Sequence, residues 1–186
     1  MPDDTAQPWT DLPSLVGRTG RLYVSRPISE TEGQILSDFV KNGGDVFLLD
    51  QRQLPNTLFD GQKVPFTQHR QEIVTMNIPE SAVFDGIKPL DLSWFADGRK
   101  VPYAAHGRYS IDRFDKTLSV LAETLEWHGY INKPTDYKLF GGTPLFSAKV
   151  GKGHVLVSAV RTDAVPQDPV ASRLMGNLIA WDFDEK

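Results

Sequence analysis

The sequence predicts a single α/β domain of three layers, in which helices cover both faces of a mostly parallel sheet. Residues 21–50 have the pattern of a strand, a helix, a Gly-Gly turn and a second strand. Residues 46–49 form a continuous apolar run, which is typical of a strand buried on both faces. Residues 144–160 flank Gly-Lys-Gly with two strand-like runs, and this pattern predicts an antiparallel hairpin near the C-terminus.

The first helix is predicted from its ends as well as from its periodicity. Ser29 is a good N-terminal cap, and Glu32 lies three residues later, where its carboxylate can reach back to the cap's own N–H. Gly43 and Gly44 stop the helix because glycine adopts the left-handed conformation without a Cβ clash. The apolar positions between these ends fall on one face, at Ile35, Leu36, Phe39 and Val40.

The middle of the chain is less regular. Residues 51–73 are polar and contain two prolines, which predicts a long loop leaving the carboxyl end of the second strand. Ligands often bind beyond the carboxyl ends of strands in α/β sheets, although a surface loop without a ligand gives the same pattern. Residues 117–125 predict a strand by content and allow a helix by spacing, and residues 127–142 predict a loop.

The chain ends with a second helix and begins with a tail. Asp168 is a good cap, and Pro169 fits the first helical position, where a missing N–H costs nothing. Residues 1–19 are expected to be a tail or linker, and residues 20–186 the single domain.

Composition excludes several classes of function. The 186 residues carry a net charge of −4 without a basic stripe, so nucleic acid is not an expected partner. No apolar run is long enough to cross a membrane and the N-terminus lacks a signal peptide, so we expect a soluble chain in an unknown compartment. The absence of cysteine removes disulfides, thiolate metal sites and thiol nucleophiles.

Motifs of catalysis and cofactor binding are absent from the sequence. There is no G-x-S-x-G elbow, no H-E-x-x-H, no G-x-G-x-x-G and no P-loop. The histidines at 69, 106, 128 and 154 lack the spacing of a local metal site. We therefore predict no catalytic residue, no metal and no cofactor.

Three runs carry a resemblance to a known family. Residues 36–49 have the pattern L-x-x-F-V-x-x-G-G-x-V-x-x-L, and residues 83–95 and 151–181 follow it in the same order. Over residues 20–182 the chain resembles the class I glutamine amidotransferase-like, flavodoxin-like domain that is appended to bacterial glycoside hydrolases of the β-galactosidase kind. The resemblance implies a flavodoxin-like fold, and it implies a structural or assembly module, since the amidotransferase cysteine is missing here.

A second departure from that family, besides the missing cysteine, concerns the start of the fold. Family domains usually begin with a further strand and helix before the position of Leu22, whereas only about twenty residues precede it here. A missing strand leaves an open sheet edge that needs a partner chain or a parent domain. The expected partners are therefore the parent hydrolase domains or a second copy of the chain.

Ten residues are candidates for ligand or interface contacts. Most lie where strands of the predicted sheet end, and Asp50 and Asp163 are expected at one edge, either as functional carboxylates or as ion-pair partners of neighbouring arginines. His106 has the most aromatic and basic surroundings of the four histidines, and loop tryptophans can stack on sugars or anchor an interface. The set is Ser25, Arg26, Asp50, Gln51, Arg52, Trp94, His106, Trp127, Arg161 and Asp163.

The expected function is a non-catalytic accessory or assembly domain of a glycoside hydrolase. The alternative is a stand-alone carbohydrate-binding protein or a small hydrolase that uses the carboxyl edge of the sheet. A piece of a larger protein-interaction scaffold is a third hypothesis.

Overall fold

A computed structural model describes residues 12–15, 17, 19–96, 98, 102–112, 114, 117–128 and 138–183. Two helices occur in this part, α1 (Glu30–Lys41) and α2 (Pro169–Ala180). The strands are β1 (Arg21–Val24), β2 (Asp45–Leu48), β3 (Phe66–Gln71), β4 (Thr75–Met76), β5 (Ala105–Tyr109), β6 (Leu118–His128), β7 (Lys138–Val150) and β8 (Gly153–Ser158). Short 3-10 turns occupy Leu12–Leu15, Asn56–Phe59, Ala82–Phe84 and Pro89–Leu92.

The predicted ends of both helices are confirmed. The Ser29 hydroxyl accepts from the Glu32 N–H, and the Glu32 carboxylate accepts from the Ser29 N–H, which completes a capping box. Helix α1 ends at Lys41, and Gly43 follows with a φ of 106°. At α2, the Asp168 carboxylate accepts from the N–H groups of the second and third helical residues, and Pro169 occupies the first position.

The prediction of a flavodoxin-like, mostly parallel sheet is wrong. The strand order is β1-β2-β8-β7-β5-β3, with β6 beside β7 and β4 beside β6. Only the pairs β1–β2 and β2–β8 are parallel, whereas the others are antiparallel. Parallel neighbours are usually connected by a helical crossover, whereas the described chain between β2 and β8 contains five strands and short 3-10 turns but no α-helix.

The segments predicted as loops contain strands. β3 lies inside the predicted loop at 51–73, and β6 and β7 extend through both ends of the predicted loop at 127–142. The predicted hairpin at 144–160 is present as β7 and β8, with Gly151 at a φ of 62° in the turn. Residues 117–125 form a strand, which decides between the two alternatives.

Each face of the sheet carries its own hydrophobic core. Val46 and Leu48 of β2 pack with α1, whereas Phe47 lies in the cluster that includes α2. Both faces of β2 are therefore covered, which explains why the strand is apolar at successive positions. Among the described residues, no helix has the length and apolar character needed to cross a membrane.

Candidate functional site

Three candidate residues, together with Thr162, meet at the carboxyl ends of β2 and β8. Asp50 follows β2 in a left-handed conformation with a φ of 52°. The N–H of His106 donates to Ala159 O at 2.9 Å, so the start of β5 is pinned beside the end of β8. This contact brings His106 Nε2 to 3.1 Å from Asp50 Oδ1 and to 3.0 Å from Arg52 Nη2. The name carboxyl-edge cluster is used below for Asp50, Arg52, His106 and Thr162.

The charge of Asp50 is stabilised despite its burial. Burial alone would raise the pKa of this carboxyl group, but His106, Thr162 and Arg52 outweigh it and the pKa lies below its ordinary value. Thr162 Oγ1 donates to Asp50 Oδ2 at 2.9 Å. The carboxylate is therefore ionised at neutral pH.

One oxygen of Asp50 lacks a proper hydrogen bond. Asp50 Oδ1 is buried and, although His106 Nε2 is close, accepts no hydrogen bond of good geometry. His106 Nε2 lies close to both Asp50 Oδ1 and Arg52 Nη2, and its role depends on the position of the ring proton. A neutral ring with its proton on Nδ1, 3.4 Å from the Tyr103 hydroxyl, accepts from Arg52, whereas a ring protonated at Nε2 favours the Asp50 charge. In the first form Oδ1 can accept from a ligand.

Arg161 and Asp163 form a separate pair beside this cluster. The Arg161 guanidinium donates to Asp163 through two parallel bonds, Nε to Oδ1 and Nη2 to Oδ2, each 2.9 Å long. Its Nη1 donates to Tyr103 O at 3.1 Å, and the guanidinium carbon lies 4.3 Å from the centre of the Tyr103 ring. The Arg161 side chain is buried, so its positive charge is matched inside the fold.

Gln51 joins the ends of three strands. Its buried side-chain amide donates to the carbonyls of Leu49 and Arg26, and its own N–H donates to Ser158 O. The buried Tyr109 hydroxyl donates to Gln51 O at 2.8 Å, and burial, aided by the nearby Asp50 charge, raises the pKa of Tyr109. Gln51 is therefore a structural clamp.

Ser25 and Arg26 do not join the carboxyl-edge cluster through a described side-chain contact. Arg26 is exposed and its Nη2 lies 2.6 Å from Glu32 Oε1, next to the capping box of α1. Arg26 and the Ser29 N–H lower the pKa of Glu32 to about 2. Ser25 is exposed after β1 and its hydroxyl has no hydrogen bond among the described residues.

The two tryptophans are on other parts of the molecule. Trp94 is 53% exposed, has a φ of 56°, and donates its N–H to Glu72 O. The backbone of Trp127 lies in β6, and its side chain is outside the described part of the structure. Trp94 therefore does not complete the carboxyl-edge cluster, and the prediction for the Trp127 side chain lies outside the described residues.

The cluster has acid–base groups but no built nucleophile. Thr162 was missed by sequence reasoning, and its only signal is its position between Arg161 and Asp163. Its hydroxyl is held by a carboxylate that is ionised, and no described Ser or Thr hydroxyl is hydrogen-bonded to His106. Within the described ranges, no three His, Cys, Asp or Glu side chains are grouped so as to hold a metal ion.

Comparisons with known proteins add little to this geometry. No family model matches the chain, and no curated protein matches it. A cytoplasmic protein from Salmonella typhimurium, known from a solved structure, is similar with a TM-score of 0.46 and 10% identity, over 91% of this chain and 74% of that chain. A likeness this distant carries no argument about family or function.

Proposed function

We propose that this chain is a non-catalytic accessory domain of a glycoside hydrolase that pairs with a second copy of itself through the open side of β1. The observation that carries the assembly role is the position of β1 at the end of the sheet order, where it pairs with β2 and with no other described strand. The connection to a glycoside hydrolase rests on the three runs at 36–49, 83–95 and 151–181.

Backbone geometry supports an unfilled hydrogen-bonding edge. Gly20 O and Val24 O accept from N–H groups at the two ends of β2. In a parallel pair, the N–H and C=O of one residue point to the same side of the strand, and alternate residues point to opposite sides. Arg21 and Tyr23 therefore direct their backbone groups away from β2, where a further strand can bind them.

The edge is held in shape by the C-terminal part of the chain. The Tyr23 hydroxyl donates to Ile179 O at 2.7 Å, and its ring stacks on Phe47 with centroids 4.8 Å apart. Arg21 Nη2 lies 3.1 Å from Asp182 Oδ2. An edge that is ordered before binding loses less conformational entropy on association.

The carboxyl edge supports the non-catalytic part of the proposal. Gln51 and Arg161 direct their polar groups to backbone carbonyls or to Asp163, and Arg26 pairs with Glu32. Groups engaged in this way hold the fold together and are not aimed at a substrate. With no cysteine in the sequence, amidotransferase chemistry has no nucleophile.

The solution mass of two matched variants tests assembly. Arg21→Pro removes one outward N–H at the first residue of β1, a position that tolerates proline, and Arg21→Ala keeps that N–H. Both variants lose the contact with Asp182, so their difference isolates the backbone hydrogen bond. We expect self-association of the wild type to weaken by roughly tenfold or more in Arg21→Pro, since each lost bond contributes about 1 kcal/mol and a symmetric pair loses two.

Light scattering or sedimentation over a range of concentrations measures this difference. Arg21→Ala should associate almost as well as the wild type. A wild type that stays monomeric at every concentration, or equal weakening by the two variants, contradicts assembly through β1.

The connection to a hydrolase has its own test. We expect the coding region upstream of Met1 to continue into, or to adjoin, a glycoside hydrolase catalytic domain. A coding region that starts at Met1 without a hydrolase neighbour contradicts the accessory role but leaves assembly through β1 standing.

A second candidate function is supported by one observation. The buried Oδ1 of Asp50 accepts no hydrogen bond of good geometry, which is the state expected of a carboxylate that meets a ligand hydroxyl or takes up a proton during hydrolysis. This alternative predicts turnover of chromogenic galactosides, or their binding, by the purified chain, and its loss in Asp50→Asn. The accessory role predicts neither turnover nor an effect of Asp50→Asn.

A further inference from the structure

A cavity with a mixed polar and apolar lining lies at the end of the sheet opposite to the carboxyl-edge cluster. It has a volume of about 400 Å³ and is bounded by β6, β7, the start of β8 and the residues that follow α2. Ligand pockets for small molecules usually measure about 300–1,000 Å³, so this one has room for a single sugar ring. We call it the α2-end cavity, and its polar lining includes Thr117, Ser119, Ser147, Lys149 and His154.

The cavity exists because α2 covers only part of this sheet face. The apolar core ends at Leu121 and Leu156, and the same face continues outward with Ser119, Ser147 and Lys149. Cross-strand register confirms the shared face, since Ser119 lies opposite Ser147, and Ser147 lies opposite Leu156. Polar side chains at the border of a core are therefore gathered in one concave place.

Ser147 is a largely buried residue whose hydroxyl borders the cavity. It is 7% exposed, and its hydroxyl forms no hydrogen bond with any described residue. A ligand hydroxyl in the cavity can therefore hydrogen-bond to it. The sheet-face hydroxyl of Ser119 and the ammonium group of Lys149 also have no described partner.

His154 presents an acceptor in the same cavity. Its Nδ1 lies 3.2 Å from Asp45 Oδ1, which places the ring proton on Nδ1 and leaves Nε2 as an acceptor in the neutral ring. The ring stacks on Phe183 with centroids 4.8 Å apart and an interplanar angle of 13°, and Trp181 packs against Phe183. An apolar aromatic wall thus faces a set of hydroxyl, amine and imidazole groups.

We propose that the α2-end cavity binds one neutral hexose unit, with the sugar hydroxyls on Ser147, Lys149 and His154 and a C–H face against the aromatic wall. Mixed donors and acceptors match a sugar, whose hydroxyls both donate and accept. Glu80 lines the cavity together with Lys149, so the opposite charges balance and a simple anion is disfavoured. The site is separate from β1's open side and from Asp50, and it stands whether or not the chain belongs to a hydrolase.

Titrations with free monosaccharides test the site on the whole chain. Galactose, glucose and N-acetylglucosamine are added at millimolar concentrations. Binding is followed by amide chemical shifts and by tryptophan fluorescence, to which Trp181 at the cavity contributes. We expect saturable binding of at least one sugar, with shifts at Ser147, Lys149 and His154. Ser147→Ala should weaken this binding roughly tenfold, the loss of about one hydrogen bond.

One control and a second binding variant make the outcome decisive. Ser172→Ala changes an exposed serine on α2 that does not line the cavity, and it should bind like the wild type. Lys149→Met keeps the length of an exposed side chain and should weaken binding as Ser147→Ala does, without unfolding the core. Absence of saturable sugar binding, binding unchanged in Ser147→Ala and Lys149→Met, or saturation by inorganic phosphate alone overturns the proposal.

Discussion

Arg161 is the largest fully buried side chain in the described structure. Its guanidinium group contacts a carboxylate, a backbone carbonyl and an aromatic ring. It donates to both oxygens of Asp163, donates to Tyr103 O and stacks on the Tyr103 ring. Asp163 is partly exposed, with 42% of its side chain accessible, so the pair lies at the border between core and solvent. The arrangement depends on the planar shape of a guanidinium as well as on its charge.

A lysine at this position should therefore not replace arginine. Arg161→Lys keeps the charge but loses the two-pronged contact with Asp163 and the flat stacking on Tyr103, so we expect a loss of about 2–4 kcal/mol in the free energy of unfolding. Urea unfolding measures it. The exposed Arg173→Lys serves as control and should change little. Equal stability of Arg161→Lys and the wild type would show that only the charge matters.

Glu32 gives the chain a stability that depends on pH. Its folded pKa of about 2 lies below that of an unfolded glutamate, so its contribution is present at neutral pH and is lost as the pH falls from about 5 towards 2. The group is near the surface, so screening limits the contribution to about 1 kcal/mol or less. Melting temperatures of the wild type and Glu32→Gln, followed from neutral to acidic pH, should therefore converge on acidification. A constant difference between the two curves would contradict this assignment.

At the scale of residues, the sequence predicts where a side chain lies in the fold better than it predicts which residues the side chain contacts. Asp50 and Asp163 follow strands, so their common edge is predictable once β2 and β8 are neighbours. That Asp163 pairs with Arg161 was one of the alternatives that the sequence left open, and the contact between His106 and Asp50 was not predicted at all. It depends on the pinning of β5 to the end of β8, a contact between segments far apart in the chain.

At the scale of elements, the hairpin of β7 and β8 packs directly under α1. A Cβ added to Gly153 would lie 2.0 Å from Gly44 O and 2.7 Å from Val40 O. Backbone oxygens cannot move aside as a flexible side chain can, so only glycine fits at the first residue of β8. The glycine that the sequence suggests as part of a turn is thus also required for close packing.

Gly153→Ala should consequently destabilise the fold. We expect a loss of about 2–3 kcal/mol in the free energy of unfolding, because the added methyl group forces β8 and the end of α1 apart. Gly141→Ala is the matched control, since Gly141 lies in β7 with no atom within 4 Å of its added Cβ. Thermal or urea unfolding compares the two variants. Similar stability losses in both would contradict the close packing at Gly153.

Helices were predictable here because their signals are local. The capping box at Ser29 and Glu32, and Asp168 followed by Pro169, occupy a few consecutive residues each. Strands such as β3 and the ends of β6 and β7 lack such signals, and they are stabilised by partners distant in sequence. Because polar composition and prolines are typical of loops, the sequence predicts loops where these strands lie.

At the scale of the whole molecule, a correct local unit led to a wrong global fold. β1, α1 and β2 do form a parallel strand–helix–strand unit, as residues 21–50 predict. Extending that pattern to the rest of the sheet failed because β6, β7 and β8 form consecutive antiparallel pairs. The apolar run in β2 indicates that the strand is buried on both faces. Because a strand of a mixed sheet can also be buried on both faces, the run does not distinguish a mixed sheet from a parallel one.

The same topology leaves β1 at the end of the sheet, which agrees with a chain that works by contact with a partner. We therefore propose β1 as an assembly edge of the protein. Its backbone should show this directly, because alternate residues of β1 face either β2 or the open side.

Residue-resolved hydrogen exchange at low and high protein concentration tests this claim most directly. We predict that the Arg21 and Tyr23 amides exchange fast in dilute solution and become protected at high concentration, whereas Leu22 and Val24, which face β2, stay protected throughout. Exchange at Arg21 and Tyr23 that is equally fast at both concentrations would contradict assembly through β1.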